Sequence, residues 1–568
     1  MGIGAVLLER GLVTKGQMEA AIAEQRASGE RLDRVLVRMG VVSREQVLAA
    51  IGDQFHMPVI DLGSVVVEPK VLEALPAKLV YKQNCVPIAR SETSPPTLTV
   101  ATSDPFELSV LDELRLLTGC SIELVLADED DLHKFIRANY GVGGDTLTEL
   151  TGAAGEASQA GGDAAAEEIE QAQEASVIKL VNEILIEAIK DRATDVHIEP
   201  YERELIVRYR IDGVLQRANV PPTINRFAAA VISRLKIMAN LNIAEKRRPQ
   251  DGRITFRHRM PGVPLDQSGG EYDLRVSVIP MLFGEGVVLR VLNKSAVLMG
   301  LEDLGMPEGV LARWDRLINR PHGILLVTGP TGSGKSTTLY ASLNRIVSDE
   351  VKVITVEDPV EYHVSGVNQI QVNHKVGLDF SAGLRSVLRH DPDVVMIGEI
   401  RDKETAETAV QASLTGHLVF STLHTNDAAG ATTRLLDMGV EPFLVSSSVE
   451  GIMAQRLVRR VCEACAAPWT PEKGELPDGW EPRPGDRLRK GTGCKACRNT
   501  GYRGRLGVYE LLTMTDELRE MIMRRASAHE IAAAAKRSGD LTTLLEDGFA
   551  KVRAGVTTVE EVVRALSA

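Results

Sequence analysis

The chain has 568 residues. A single hydrophobic core does not accommodate a chain of this length, so we expect three or four domains. Its apolar content of 44% and charged content of 25% are typical of a globular protein, and its net charge of −13 weighs against nucleic acid as the main partner. The sequence contains no run of 18 apolar residues and no recognisable signal peptide, so we expect a cytoplasmic protein whose membrane contact is peripheral.

Residues 1–60 contain an internal repeat with a period of 29 residues, in which Gly11 aligns with Gly40 and Gln17 with Gln46. Each copy has the order helix, glycine, Thr or Ser cap, helix. This pattern predicts a helical module made of two stacked helix pairs. Residues 61–140 alternate apolar strands with helical stretches and predict a separate small α/β domain.

Residues 141–175 are rich in Gly, Ala, Glu and Gln and contain no Lys or Arg. This composition has little to bury and predicts a flexible acidic linker. Regular patterns resume over residues 176–295, where apolar strands flank the turn signal Asp212-Gly213. We expect a second α/β domain there.

The segment Gly329–Ser336 fits the phosphate-loop pattern G-x-x-x-x-G-K-[ST] and lies between a predicted buried strand and a predicted helix. In such a loop the backbone N–H groups surround the phosphates of a nucleoside triphosphate. Lys335 is expected to reach the β- and γ-phosphates, and the Ser336 hydroxyl to hold Mg²⁺. The predicted nucleotide-binding residues are Gly329, Pro330, Thr331, Gly332, Ser333, Gly334, Lys335, Ser336 and Thr337.

Three later apolar strands end in polar residues, and their alternation with helices predicts a parallel sheet covered on both faces. Ligands bind at the carboxyl ends of such strands. Hydrolysis needs a carboxylate that orients the attacking water, and Glu357, Glu361 and Glu399 are the candidates; one of them could instead hold Mg²⁺ through water. His417 and His424 are candidates for contacting the γ-phosphate, and a purely structural role for them stays equally open.

Six cysteines are present, and four of them form two C-x-x-C pairs separated by 28 residues. In a reducing cytosol this spacing favours a metal site over disulfides. Four thiolates fill a tetrahedral Zn²⁺ site and leave no open position, so we expect a structural role. The predicted zinc ligands are Cys462, Cys465, Cys494 and Cys497.

The segments Gly329–Ser336, Glu357–Glu361, Gly398–Asp402 and Thr415–Asn426 together resemble the secretion ATPase superfamily in type, order and spacing. Within it, the chain is most similar to the branch of type II secretion and type IV pilus assembly ATPases. The resemblance implies a RecA-like ATPase domain over residues 296–568, with a zinc element at about 460–500 and a helical C-terminal tail.

The same resemblance implies a homohexamer whose ATP hydrolysis drives filament assembly through an inner-membrane platform protein. It also implies that residues 176–295 supply arginines to the ATP site, and Arg275 and Arg290 occupy the matching positions. In the family the tetracysteine element is thought to bind the membrane partner. The resemblance also implies that the N-terminal domains bind a docking subunit on the cytoplasmic face of the membrane. Pilus retraction ATPases lack both the tetracysteine element and the long N-terminal part, so a pilus retraction function is disfavoured for this chain.

The N-terminal repeat resembles a domain that binds cyclic di-GMP in some relatives, where each copy opens Arg-Leu-Gly-x-x-Leu. Here the first copy has Gly2 in place of the arginine, and the second has Asp33 in place of the glycine. An aspartate there would repel a phosphate, so we favour a partner-docking module over a nucleotide site. The motifs do not separate type II secretion from type IV pilus assembly, and a DNA-translocating ring ATPase of the conjugation type is the alternative.

Overall fold

The computed structural model describes residues 3–28, 32–63, 65, 67–91, 94–103, 109–144, 146–147, 150, 163–259, 269–293, 299–471, 476 and 480–567. The chain divides into two compact units, Met1–Ser295 and Ala296–Ala568.

The first unit begins with two helix pairs that share one apolar core. Gly11 and Gly40 follow the first helix of each pair with φ of 68° and 67°, a backbone conformation that favours glycine. Ser43 and Gln46 form a capping box at the last helix. The predicted repeat of helix pairs is confirmed in the described residues. The four helices are α1 (Ile3–Glu9), α2 (Lys15–Ser28), α3 (Leu32–Arg38) and α4 (Arg44–Phe55).

A small three-stranded sheet follows, in the order β1-β2-β3, with β2 and β3 parallel. Leu98 and Val100 on the central strand are fully buried against Leu114 and Ile136 of the covering helices. The elements are α5 (Pro69–Leu72), α6 (Ala77–Gln83), β1 (Cys85–Ser91), β2 (Thr97–Thr102), α7 (Ser109–Thr118), β3 (Ser121–Leu126) and α8 (Glu129–Tyr140).

The remainder of the first unit is a six-stranded antiparallel sheet in the order β6-β5-β4-β9-β8-β7, packed against two helices. Asp212 and Gly213 have φ of 49° and 86°, so the predicted hairpin turn is confirmed. The elements are α9 (Asp163–Lys190), β4 (Asp195–Pro200), β5 (Leu205–Ile211), β6 (Val214–Arg217), α10 (Ala228–Met238), β7 (Gln250–Arg259), β8 (Gly269–Met281) and β9 (Gly284–Asn293).

The predicted linker over residues 141–175 is wrong at both of its ends. Val142 and Leu147 are buried in the core of the antiparallel-sheet domain, and the Val142 N–H donates to the Asn219 carbonyl oxygen at 2.7 Å. Helix α9 begins at Asp163, because Ala, Glu and Gln are good helix formers as well as frequent linker residues. The middle of the stretch, 151–162, lies outside the described residues.

The second unit contains a seven-stranded sheet in the order β12-β11-β13-β14-β10-β15-β18. Neighbouring strands are parallel except at the edge, where β18 runs antiparallel to β15. The predicted buried parallel strands are confirmed, and every residue of β10, β13 and β14 is buried. The strands are β10 (Gly323–Thr328), β11 (Val353–Glu357), β12 (Val367–Gln371), β13 (Val394–Ile397), β14 (Leu418–Leu423), β15 (Val449–Val461) and β18 (Tyr502–Thr513).

Helices cover both faces of this sheet. Successive residues of β10 point to opposite faces and therefore contribute to different cores. Leu325 and Val327 belong to one apolar core, and Ile324 and Leu326 belong to the other. A short ribbon of β16 (Ala466–Pro468) and β17 (Arg489–Gly491) lies within the cysteine segment. No helix within the described ranges is long and apolar enough to cross a membrane.

The helices of the second unit are α11 (Glu308–Ile318), α12 (Lys335–Ile346), α13 (Phe380–Val387), α14 (Lys403–Leu414), α15 (Ala428–Asp437), α16 (Pro442–Ser448), α17 (Asp516–Met523), α18 (Ala528–Arg537), α19 (Leu544–Arg553) and α20 (Val559–Ser567).

Candidate functional site

The phosphate loop connects β10 to α12 and is confined by the neighbouring strand β15. Gly329 and Gly334 have φ of 148° and 88°. A Cβ atom on Gly329 would lie 2.5 Å from the Gln455 carbonyl oxygen, and one on Gly334 would lie 2.7 Å from Gln455 Nε2. Both positions therefore favour glycine by their positive φ, and Gly329 does so also because a backbone oxygen leaves no room for a side chain.

Lys335 is the first residue of α12, and its ammonium group donates to the carbonyl oxygens of Gly329 and Pro330 at 2.8 and 3.0 Å. Burial lowers the pKa of Lys335 to about 8, an effect that the Glu399 carboxylate opposes and the Arg456 guanidinium reinforces. The Ser333 hydroxyl is buried and has no hydrogen-bond partner in the described residues.

The loop therefore fits a triphosphate. Its glycines let the backbone approach the ligand, Lys335 supplies a cation, and Ser333 offers a buried unpaired hydroxyl. Ser336 is exposed on the first turn of α12, where its hydroxyl would hold Mg²⁺ beside the phosphates.

Glu399 lies at the same carboxyl edge of the sheet, two residues beyond the end of β13. Its Oε1 is 2.5 Å from Arg401 Nη2, and its Oε2 is 3.3 Å from His424 Nε2. The side chain of Glu399 is 15% exposed, and its charge acts on Lys335. The structure thus brings together Lys335, Glu399 and His424 from three strand ends, as the sequence predicted for parallel strands.

Glu357 is enclosed by hydrogen-bond donors. Its Oε2 accepts from the Tyr340 hydroxyl, and its Oε1 accepts from Thr355 Oγ1 at 2.5 Å and Gln369 Nε2 at 3.1 Å. The residue is 3% exposed. The Glu361 backbone N–H donates to the Tyr340 hydroxyl oxygen at 3.2 Å. Tyr340 therefore connects the phosphate-loop helix to the Glu357 carboxylate and to the Glu361 backbone at this strand end.

His417 lies at the opposite edge of the sheet from the phosphate loop of its own chain, so its predicted contact with a γ-phosphate has no support within the single chain. Its carbonyl oxygen accepts from the N–H of Gly323, the first residue of β10. A strand of six residues, about 20 Å, separates that edge from the phosphate loop. The ring nitrogen Nδ1 lies 2.9 Å from the Ala412 carbonyl oxygen and 3.1 Å from Thr415 Oγ1, which is a structural environment.

The candidate arginines of the first unit lie in one row across its antiparallel sheet. Arg253, Arg275, Arg290 and Asp195 stand side by side on β7, β8, β9 and β4. Arg290 Nε is 3.3 Å from Asp195 Oδ1, and Arg253 pairs with Asp273. Arg275 forms no ion pair with any residue in the described ranges, so its guanidinium keeps a positive charge available to an external anion.

The four paired cysteines converge as predicted, with their Sγ atoms within 4.8 Å of one another. Individual Sγ–Sγ distances are 3.8 Å for Cys462–Cys494, 3.8 Å for Cys465–Cys497 and 3.7 Å for Cys494–Cys497. A regular tetrahedron with Zn–S bonds of about 2.3 Å has edges of about 3.8 Å, so the residues fit Zn²⁺.

Backbone amides support the cluster at Cys497, where the N–H groups of Cys494 and Gly501 lie 3.1 and 3.3 Å from Sγ. Burial alone would raise the pKa of Cys497, but these amides and the neighbouring thiols bring it down to about 7. Burial raises the pKa of Cys462 and Cys465 instead, so among these three Cys497 most favours the thiolate form that binds metal.

Sequence reasoning missed Tyr340, Gln369 and Arg456 at the ATP site. Arg456 is 5% exposed and is one of two charged residues that β15 buries, the other being Glu450. The sequence did not mark Arg456, because β15 also contains Glu450, Arg459 and Arg460 and only the fold shows which charges are buried. No signal marks Tyr340 or Gln369 either, because their importance depends on the fold that brings them to Glu357.

The parallel sheet and its phosphate loop define the second unit as a RecA-like P-loop ATPase domain. The solved structure of the Legionella pneumophila ATPase DotB has this fold, with a TM-score of 0.50 and 22% identity over 67% of this chain and 93% of that chain.

Two relatives are similar over almost the whole chain. The type IV pilus assembly ATPase PilB of Myxococcus xanthus (strain DK1622) is 43% identical over 571 residues, covering 99% of this chain and 98% of that protein. The type II secretion system protein E of Xanthomonas campestris pv. campestris is 43% identical over 577 residues, covering 98% and 97%.

The family described as Type II/IV secretion system protein matches residues 170–564, and the MshEN domain matches residues 55–146. The chain belongs to the type II/IV secretion system protein family. It is an ATP-hydrolysing secretion or pilus assembly ATPase.

Proposed function

We propose that the chain acts as a homohexameric motor whose ATP hydrolysis drives assembly of a type II secretion pseudopilus or a type IV pilus through an inner-membrane platform protein. The observation that carries this proposal is the similarity, over nearly the full length, to one relative named for pilus assembly and one named for type II secretion. Because the two identities are equal at 43%, the proposal retains both systems.

Within this proposal, Glu399 orients the attacking water beside the γ-phosphate, and His424 contacts Glu399 or the phosphate. Ser336 holds Mg²⁺, which neutralises charge on the β- and γ-phosphates. Glu357 and Glu361 keep the adjacent strand end in place, with Glu357 fixed by its three donors. The tetracysteine cluster binds Zn²⁺ in a structural role.

The charge balance of the site supports its completion by a second domain or subunit. Phosphoryl transfer needs cations around the transferring group. Near the loop, Arg401 is already paired with Glu399, and Arg456 is buried. Arg275, which has no ion pair within the described residues, is suited to supply the missing charge, with the Asp195-paired Arg290 beside it, which is why we propose a ring.

The N-terminal domains are proposed to dock a subunit at the cytoplasmic face of the inner membrane. The MshEN match begins at residue 55 and so leaves most of the helical repeat outside it. A Cβ atom on Gly4 would lie 3.1 Å from Leu32, so this glycine serves helix packing. Gly2 and Arg31 of the repeat motifs lie outside the described residues. Titrating the full chain with cyclic di-GMP tests the docking interpretation, which saturable micromolar binding would overturn.

Mixing two inactive variants tests the ring and the arginine assignment together. Lys335→Ala keeps the arginines but lacks the loop lysine, and Arg275→Ala has the reverse defect. If each site is shared between subunits, random mixing regenerates about a quarter of the sites and hence measurable ATPase activity. Activity that stays at the level of the separate variants would reject sharing between subunits. Stimulation of hydrolysis by DNA would instead favour the DNA-translocating alternative.

A further inference from the structure

Arg456 is a buried cation with too few partners. Its Nη2 donates to Asn426 Oδ1 at 3.1 Å, whereas its Nε and Nη1 are buried and have no hydrogen-bond partner in the described part of the chain. Burial lowers the pKa of Arg456, and the nearby Asp427 carboxylate opposes this effect only in part.

A buried carboxylate is close by but is used otherwise. Glu510 shares a pocket with Arg456, yet its oxygens accept from the N–H groups of Ala428 at 2.8 Å and Leu544 at 3.3 Å. Burying a charge with unpaired donors costs free energy, so Arg456 does not improve the stability of the fold. A functional explanation is needed for a charge at this position.

Within the described residues, the side-chain hydrogen bond of Arg456 goes to Asn426, in the segment that also carries His424. We define the histidine loop as residues His424–Asp427, between β14 and α15. Thr425 is held at the phosphate-loop strand, because its N–H and Oγ1 lie 2.9 and 2.7 Å from Thr328 Oγ1. Asp427 caps α15 through the Gly430 N–H at 2.6 Å. Asn426 is the remaining residue of the loop, and Arg456 holds it.

We propose that Arg456 is a positioning residue that acts through Asn426 to hold the histidine loop, and so sets the distance between His424 and Glu399 beside the phosphate loop. The inference rests on the proposed roles of Glu399 and His424 in hydrolysis. The positioning role explains why a guanidinium is buried at this position although its burial costs free energy.

Replacing Arg456 by methionine separates positioning from stability. In Arg456→Met we expect a Tm equal to or above that of the parent chain, because an apolar side chain of similar length replaces an under-satisfied charge. We expect kcat to fall about tenfold with the KM for ATP unchanged within about twofold, since a displaced group affects the chemical step. Arg456→Lys should restore part of kcat. Arg460→Met, an exposed change on the same strand, is the matched control and should alter neither quantity.

A double variant tests whether Arg456 works through His424. If it does, adding Arg456→Met to His424→Ala lowers kcat by less than about twofold more, because residues that act as a unit are not additive. The proposal would be overturned by an unchanged kcat in folded Arg456→Met, whatever its Tm. It would also be overturned by a full multiplicative loss of kcat in the double variant.

Hydrogen exchange makes the result independent of the proposed function. In nucleotide-free protein, amide exchange within the histidine loop should rise about tenfold in Arg456→Met and stay unchanged in Arg460→Met. Unchanged exchange would refute the positioning role whatever the ATPase activity is. Full hydrolysis by Lys335→Ala, by contrast, would refute the assignment of the ATP site and leave the exchange result standing.

Discussion

Glu399 and His424 face each other at the carboxyl edge of the parallel sheet, with Glu399 Oε2 3.3 Å from His424 Nε2. Glu399 is 15% exposed, whereas Glu357 on the neighbouring strand end is 3% exposed and surrounded by three donors. A general base needs access to the water that it orients. The two carboxylates therefore differ in accessibility, and this difference supports the proposal that Glu399 is the general base.

Removing the Tyr340 hydroxyl should destabilise the second unit. Tyr340→Phe leaves Glu357 Oε2 without its donor in a buried position, and we expect a loss of about 1–3 kcal/mol in the free energy of unfolding, measured with urea. Tyr362→Phe is the control, because the ring of Tyr362 packs edge-on against Tyr340 and its hydroxyl does not bond Glu357. Equal stability of the two variants would contradict the role of Tyr340.

Nucleotide affinity should weaken at alkaline pH. The Lys335 ammonium binds phosphate only when protonated, and burial lowers its pKa to about 8 in the nucleotide-free protein. Affinity for ATP should therefore be flat below pH 7 and fall above pH 8, approaching tenfold per pH unit, with proton uptake on binding. Fluorescent nucleotide titrations from pH 6.5 to 9.5 measure this. Lys335→Arg, if it binds ATP, should show no such decline; an equal decline would assign the titration to another group.

The two histidines should behave differently although they are only seven residues apart. His424→Ala removes the imidazole beside Glu399, and we expect single-turnover hydrolysis to slow by about ten- to a hundredfold. His417→Ala should keep the rate within about twofold, because His417 lies at the far edge of the sheet. A larger effect from His417 would show that it acts at a site the single chain does not display.

Zinc should bind the tetracysteine cluster with one ion per chain. Cys494→Ser should lose the metal and make the segment between Cys462 and Cys497 sensitive to protease, while ATP binding persists. Cys120→Ser, outside the cluster, should retain one zinc. Elemental analysis of the purified variants measures the metal content, and a zinc-free parent chain with an ordered segment would contradict the assignment.

The sequence predicted those parts of the molecule that depend on local pattern. The glycines, the strand ends with Glu399 and His424, and the C-x-x-C spacing are all local signals. Prediction from the sequence failed where long-range packing determines the position of a residue in the fold. His417 looked similar to His424 because both flank β14, and only the direction of the strand separates them. Asp163 begins a helix in a stretch whose average composition resembles a linker, since composition does not record which residues pack.

Single-turnover hydrolysis of ATP by Glu399→Gln, compared with Glu357→Gln, tests the central claim most directly. Glutamine keeps the shape of Glu399 but cannot take a proton, so we expect ATP affinity within about threefold of the parent chain and a rate at least about a hundredfold lower. Glu357→Gln should mainly lower stability, because it places an amide among three donors. A parent-like rate in Glu399→Gln, with the loss appearing instead in folded Glu357→Gln, would contradict the account.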